Sequence, residues 1–178
     1  MALLSVLEGA GGFFAILFAA LLHEAGHFTA IKAFGAEIRR VDINVLSALI
    51  VYDGEGLSLR QEVTVALSGA LFNLLSALAG SLLLCAYPCA VLLLFVAANL
   101  FFALINLLPV RGNDGGSALL FALQTVLPLD ASERIATVVS VSSRAVFALL
   151  FLLSLFVSGG NIGVALLFLL LAVPRIPL

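Results

Sequence analysis

The longest stretch of this chain without a charged residue runs from Val63 to Val110, and most of its 48 residues are apolar. A membrane-spanning helix needs about 20 consecutive apolar residues. The stretch is therefore long enough for two spans. Tyr87-Pro88 is the natural place to divide it, because proline ends a helix. These residues predict membrane helices at about 63–86 and 89–108.

Composition supports a membrane-embedded chain. Hydrophobic residues make up 63% of the 178 residues and charged residues 10%, against roughly 45–50% and 25% in soluble domains. A soluble globule of this size could not bury so much apolar surface. The net charge of −2 argues against nucleic acid as a partner. The two cysteines, Cys85 and Cys89, are too few for a disulfide framework and lack neighbouring partners for a zinc site.

Further apolar segments flank this central pair of helices. The first has no basic residue before it, so we interpret it as a retained helix and not as a cleaved signal peptide. A segment of about 13 residues closed by Pro128 is short for a span, as in a re-entrant element. Asp130 is the expected N-cap of the next helix, with Glu133 completing a capping box and Gly159-Gly160 ending the helix. The predicted segments are a helix at 10–33, the short element at 115–127, a helix from about 131, and a last apolar stretch at 161–173.

The one long polar connection, residues 34–62, has the signature of a small β element. Val41 to Val45 alternates apolar and polar residues, and a second β-prone run ends at Tyr52 before Asp53-Gly54. We therefore predict an all-α polytopic membrane protein with five to six membrane-embedded helical segments and a small β element between the first two helices. The whole of 1–178 is expected to be a single integral-membrane domain, with a core at about 10–127 and extra helices at about 131–173.

Lysine and arginine counts predict the orientation in the membrane. The connection at 32–60 holds four of these residues, the turn at 87–88 holds none, and Arg111 follows the third helix. Because basic loops face the cytoplasm, the N-terminus is expected outside and the 34–62 connection inside. The protein is accordingly expected to be a multi-pass protein of the cell membrane.

The only two histidines of the chain stand four residues apart, in His23-Glu24-Ala25-Gly26-His27. Residues i and i+4 share one face of a helix, so both imidazoles can bind one metal ion. Glu24 lies next to a ligand, where it can act on water at the metal. Ionisable groups near mid-membrane cost about 2.5–3.5 kcal/mol each, which favours a functional role over a structural one. The pattern predicts a metal site.

A catalytic zinc site needs a third protein ligand and an open fourth position. The chain has no third histidine, so a carboxylate is required. Asp114 is favoured among these because it lies in a glycine-rich stretch after the third helix, which returns to the side that His27 faces. The candidates are Asp42, Asp53, Asp114, Asp130 and Glu133.

Three stretches in this order resemble the site-2 proteases, which are intramembrane zinc metalloproteases. His23-Glu24-Ala25-Gly26-His27 is similar to the family's H-E-x-x-H, and Gly69-Ala70-Leu71-Phe72-Asn73 to its central G-x-x-x-N. Asn106-Leu107-Leu108-Pro109 followed by Asp114-Gly115 is similar to its third motif, in which the leucine usual before the aspartate is Asn113 here. The resemblance covers about residues 20–120.

The resemblance implies a role for each matching residue. His23, His27 and Asp114 would bind one Zn²⁺ per chain, and Glu24 would be the general base. Asn73 and Asn106 would contact the substrate backbone or the developing oxyanion, although helix–helix hydrogen bonding is nearly as good an interpretation of Asn73. Gly69 is expected to allow close helix approach. A substrate strand would pair with the segment Val41, Asp42, Ile43, Asn44, Val45, unless that strand pairs only internally.

The same resemblance implies a zinc metalloendopeptidase that cleaves in or next to transmembrane segments of membrane-bound substrates. The chain resembles a minimal form without PDZ or CBS domain, closest in organisation to the branch that processes a sporulation sigma-factor precursor. The bilayer, a membrane protein or membrane-associated peptide as substrate, and a regulatory membrane partner are the expected partners, with the active site toward the cytoplasmic side.

Three other interpretations stay open at this point. The first is a catalytically silent scaffold of the same fold, which loss of Glu24 or of a ligand would favour. The second is a metal transporter, although no internal repeat is visible. The third is a membrane zinc protease with glutamate as third ligand, for which Glu133, the one glutamate after residue 62, lacks the acidic helix motif that this type needs.

Overall fold

The computed structural model describes residues 9–44 and 47–157. Within these ranges the chain forms five helices and one two-stranded sheet. It divides into two compact units, one up to Asn106 and one from Leu107 onward. The predicted fold class, helical with a small β element between the first two helices, is confirmed. The predicted stretch at 161–173, the helix end at Gly159-Gly160 and Val45 lie outside the described residues.

The first unit holds three long helices, and their bounds match the charge-free runs closely. They are α1 (Ala10–Ala33), α2 (Leu59–Ala86) and α3 (Ala90–Leu107). Helix α2 begins four residues earlier than predicted, because Ser58 and Gln61 form a capping box at its start. Helix α1 ends where Gly35 takes a φ of 77°, and Ala36 N–H donates to Ile31 O across the last turn.

The second unit holds α4 (Asp114–Gln124) and α5 (Leu129–Val157), which pack on each other. The predicted N-cap at Asp130 is wrong, since α5 begins one residue earlier and Asp130 lies inside its first turn. Ser132 N–H donates to Pro128 O at 3.0 Å, so the first turn starts from the proline. Glu133 forms an ion pair with Arg111.

Four of the five described helices are long and apolar enough to cross a membrane. Their apolar ranges are Gly11–Ala33, Leu59–Ala86, Ala90–Leu107 and Leu129–Leu153. Helix α4 has 11 residues, which at 1.5 Å rise per residue reaches about 16 Å, roughly half of the hydrocarbon thickness. The chain is therefore a membrane protein in which α4 is too short to span, as predicted for the 115–127 segment.

The β element between α1 and α2 is an antiparallel hairpin of β1 (Ile38–Asn44) and β2 (Ser47–Tyr52). Val41 pairs with Ile50, and the register is irregular between Ile38 and Arg40. Below the hairpin, Tyr52 Oη donates to Glu62 Oε2 at 2.5 Å. Burial, and secondarily this bond, raises the pKa of Tyr52. The bond ties the hairpin to the first turn of α2.

Small residues line the interface between α1 and α2. Ala15, Ala19, Ala66, Ala70 and Ala77 are all buried. In a membrane, helices associate by close packing and hydrogen bonding, since lipid is as apolar as the side chains. The outward faces carry large apolar side chains such as Phe13, Leu78 and Leu104, all exposed, as expected of lipid-facing surface.

Candidate metal centre

The two histidines of α1 converge on one point. One helical turn separates them, and their Nε2 atoms lie 3.2 Å apart. The rings meet edge to face, with centroids 4.8 Å apart. His23 is buried and His27 half-buried. The i,i+4 spacing therefore brings both imidazoles together as predicted.

The other nitrogen of each imidazole is bonded to α2. His27 Nδ1 lies 2.9 Å from Val65 O, and His23 Nδ1 lies 2.7 Å from Asn73 Oδ1. Both partners are oxygen acceptors, so each Nδ1 carries the proton and donates it. This tautomer leaves Nε2 as the ligand nitrogen of each ring. A metal-binding histidine that donates its second N–H to an oxygen is the usual arrangement in zinc sites.

Two glycines allow α1 and α2 to approach this closely. A Cβ atom on Gly26 would lie 2.5 Å from Ser68 O, and one on Gly69 would lie 2.4 Å from His27 Nε2 and 2.8 Å from His23 Cε1. Any side chain at these positions would push the helices or the rings apart. Gly69, expected to permit close helix approach, thus lies directly against both imidazoles.

The histidine pair fits a zinc ion. Two nitrogens bound to one tetrahedral zinc at about 2.0–2.1 Å lie about 3.3 Å apart, close to the 3.2 Å between the Nε2 atoms. In the tautomers set by α2 both Nε2 atoms carry lone pairs, and these repel one another at a separation of 3.2 Å. A cation between them relieves the repulsion. Phe102 of α3, with its ring centroid 6.3 Å from that of His23, contributes an apolar wall.

Glu24, the predicted general base, is half-buried on α1 beside His23. Its position one residue along the helix points it about 100° away from the His23 direction. Asn106, a predicted substrate contact, donates to Phe102 O of its own helix at 3.0 Å. The predicted substrate strand forms β1 as far as Asn44.

Asp114, the predicted third ligand, is the first residue of α4 in the second unit, where the helix dipole favours a carboxylate. The backbone around it is tightly folded. Gly112 has a φ of 95°. A Cβ on Gly115 would lie 2.2 Å from Leu107 O, and one on Gly116 would lie 2.2 Å from Val110 O. Only glycine fits at these two positions, so the Asp-Gly-Gly sequence lets the loop before α4 pack on the start of the helix.

Asn73 is fully buried and makes all of its hydrogen bonds within the helices of the first unit. Its Nδ2 donates to Ala19 O at 2.9 Å and to Asn99 Oδ1 at 2.8 Å, while its Oδ1 faces His23. The hydrogen bonds of Asn73 thus join α1, α2 and α3, and the substrate contact implied for this residue stays a prediction. Asn99 was missed, although a lone amide in the middle of an apolar span was a signal that could have found it.

No family model matches the chain, and no curated protein matches it either. Among solved structures, the fold is similar to that of the site-2 protease from Methanocaldococcus jannaschii. The TM-score is 0.67 at 21% sequence identity, and the likeness covers 95% of this chain and 81% of that chain. The chain therefore has the fold of a site-2 protease, as the three sequence stretches implied.

Proposed function

We propose that this protein is an intramembrane zinc metalloprotease that hydrolyses peptide bonds in or next to the transmembrane segments of membrane-bound substrates. The observation that carries the proposal is the pair of Nε2 atoms 3.2 Å apart inside a helical membrane protein with a site-2 protease fold. Two histidines in contact within a membrane helix favour a functional role over a structural one, since ionisable groups are costly in the membrane.

The proposed ligands of the zinc ion are His23, His27 and Asp114. Two imidazoles and one carboxylate form a donor set typical of catalytic zinc, which keeps a fourth position open. When bound, zinc supplies Lewis-acid chemistry: it polarises a carbonyl group and makes water acidic enough to react near neutral pH. Asn73 and Val65 hold the imidazoles for this task through their oxygen atoms.

Glu24 is the proposed general acid and base. Its carboxylate takes a proton from the attacking water as the water oxygen bonds to the scissile carbonyl carbon. It then gives this proton to the amide nitrogen as the carbon–nitrogen bond breaks, so that a carboxylate and an amine are released. Glu24 directly follows His23 in α1, and we propose that its long side chain bends back to reach a water molecule beside the histidine pair.

The substrate is proposed to be a helix that unwinds before cleavage. A folded helix uses its own backbone carbonyls, so a protease can reach them only in an extended segment. Strand β1 pairs with β2 along one edge, and no other strand among the described residues pairs with its second edge. That edge, from Val41 to Asn44 within the predicted substrate strand, is proposed to receive the substrate backbone by strand addition, with Asn106 as a further contact. Substrates with glycine or proline in the helix should therefore be cut faster than an all-leucine helix.

The protein is proposed to lie in the cell membrane with its N-terminus outside and the hairpin and active site toward the cytoplasm. The basic residues of the 34–62 connection support this orientation. A regulatory membrane partner and a place in the sporulation branch of the family belong to the same proposal.

The test is zinc content and peptide cleavage by the purified protein in detergent. We expect one zinc per chain and cleavage of a transmembrane peptide that is lost with a chelator and restored by zinc. Asp114→Ala should lose the metal, whereas Asp130→Ala, which removes a carboxylate from the first turn of α5, should keep it. Protein without stoichiometric zinc, or full retention of zinc by Asp114→Ala, would contradict the proposal. Zinc bound without any cleavage would instead favour a silent scaffold.

A further inference from the structure

A buried line of amide hydrogen bonds leads from α3 across α2 to His23. Asn99 and Asn73 both have no exposed surface. Asn99 Nδ2 donates to Phe95 O at 2.9 Å, Asn73 Nδ2 donates to Asn99 Oδ1 at 2.8 Å, and Asn73 Oδ1 faces His23 Nδ1 at 2.7 Å. Three helices of the first unit are thus joined through two amide side chains.

The direction of every bond in this line is fixed at its ends. Phe95 O is a carbonyl that can only accept, so Asn99 must present its nitrogen there and its oxygen to Asn73. Ala19 O is also only an acceptor, so Asn73 must turn its nitrogen to Ala19 and Asn99. The Asn73 oxygen then faces His23, which can answer only with a proton on Nδ1.

Asn99 supplies one of the two acceptors that hold the Asn73 amide in this orientation. Without the Asn99 acceptor, only the hydrogen bond to Ala19 O opposes rotation of the Asn73 amide by half a turn. After such a rotation an Asn73 N–H would face His23 Nδ1. That nitrogen would have to be the unprotonated one. The proton would move to Nε2, the atom that lies 3.2 Å from His27 Nε2 and that a metal needs unprotonated.

We propose that Asn99 is a positioning residue that acts through Asn73 to keep the proton of His23 on Nδ1 and thereby keeps Nε2 as a metal ligand. The proposal rests on the proposed function only in that zinc is the group His23 serves. The tautomer itself is a property of the metal-free chain. In the low dielectric between the helices such hydrogen bonds are strong, and an amide turned the wrong way is costly.

The test reads the tautomer directly. The chain has two histidines, so the side-chain nitrogens of histidine-labelled, metal-free protein in detergent give a simple NMR spectrum above pH 8, where free imidazole is neutral. In the wild type the His23 proton should lie on Nδ1. Asn99→Leu keeps the approximate size and removes the acceptor, so a second population with the proton on Nε2 should appear for His23. His27, bonded to the Val65 backbone, should not change.

Zinc affinity is the second readout, measured by competition with a chelator. Asn99→Leu should bind zinc about 10–100-fold more weakly, the usual effect of losing an outer partner of a ligand. Asn99→Ala removes the same acceptor without bulk and should behave alike. Ser81→Ala removes an own-helix hydrogen bond to Ala77 O two turns beyond Asn73 and should change neither.

The proposal is overturned if folded Asn99→Leu and Asn99→Ala keep the wild-type tautomer and bind zinc within twofold of wild type. It is also overturned if Ser81→Ala gives the same changes, because the effect would then be general loosening of the helices. If the wild-type protein binds zinc but cuts no peptide while Asn99→Leu shows the tautomer shift, the protease function is refuted and this inference is supported.

Discussion

Replacing Gly69 with alanine should damage the metal centre although no ligand residue is changed. The added methyl carbon would lie 2.4 Å from His27 Nε2 and 2.8 Å from His23 Cε1. Ordinary contact begins at 3.4 Å, so the His27 ring must retreat by about 1 Å, whereas a metal site tolerates only about 0.2 Å in its ligand distances.

We therefore expect Gly69→Ala to bind zinc about 10–100-fold more weakly, a loss like that of an outer partner of a ligand. Overpacking costs about 1–3 kcal/mol, and alanine returns about 0.5–1 kcal/mol of helix propensity. The net loss of stability should therefore lie at about 0–2.5 kcal/mol.

The assay is chelator competition for zinc together with thermal unfolding in detergent. Gly56→Ala is the matched control, because a Cβ there has nothing within 4 Å, and it should bind zinc normally. If Gly69→Ala bound zinc with wild-type affinity, the close approach of α2 to the imidazoles would not be what shapes this centre.

Three more outcomes follow from contacts away from the histidines. Ser140 Oγ accepts from Arg111 N–H at 2.9 Å, so Ser140→Ala should destabilise the second unit by about 0.5–1.5 kcal/mol in urea unfolding. Thr137→Val, which loses only a hydrogen bond within its own helix, is the control. Equal effects of the two substitutions would show that the bond to Arg111 does not stabilise this unit. The hydrogen bond from Arg39 holds the pKa of Asp53 below its usual range. The contribution of this pair to stability is therefore complete above about pH 4 and is lost as the pH falls through the lowered pKa of the folded state. An NMR titration of Asp53 should show the lowered pKa in the wild type and not in Arg39→Gln, and a normal pKa in the wild type would contradict this. For orientation, Gly56→Cys in a background without native cysteines should resist an impermeant thiol reagent outside intact cells. A separate variant that keeps Cys89, which is exposed and follows Pro88, as its only cysteine should react. Outside labelling of Gly56→Cys would reverse the topology.

Local patterns in the sequence were enough for most of the fold. The charge-free runs located α1, α2 and α3 to within a few residues, because a membrane span is a matter of length and apolarity. The alternation after Val41 located β1, since a period of two is a local signal. The start of α2 was missed only because the Ser58–Gln61 capping box was not used.

The candidate site could be predicted in part for the same reason. His23 and His27 are brought together by helical spacing alone, so four residues of separation determined their contact. The partners of their second nitrogens, Asn73 and the Val65 carbonyl, come from another helix and depend on the packing of α1 on α2. Residue spacing along a single helix cannot indicate a contact with another helix. Asn99, an amide in an apolar run, indicates only that its side chain needs a hydrogen-bond partner.

The contacts that α5 makes with the loop before α4 are the other feature that the sequence did not reveal. Arg111 is bound to α5 at three points: its N–H donates to Ser140, its carbonyl accepts from Arg144 at 3.0 Å, and its guanidinium pairs with Glu133. These contacts anchor the loop that leads to Asp114. A helix interpreted from composition as an addition to the core thus supports the segment that carries the proposed third ligand.

The most direct test of the proposed function is the turnover of a transmembrane peptide by Glu24→Gln. Glutamine keeps the shape of the side chain but cannot accept the proton, so cleavage should fall by about 10²–10⁴-fold while one zinc per chain is retained. Glu55→Gln, which changes an exposed glutamate of the loop before α2, should cleave at the wild-type rate. Wild-type turnover by Glu24→Gln with zinc bound would show that Glu24 is not the base and would contradict the proposed mechanism.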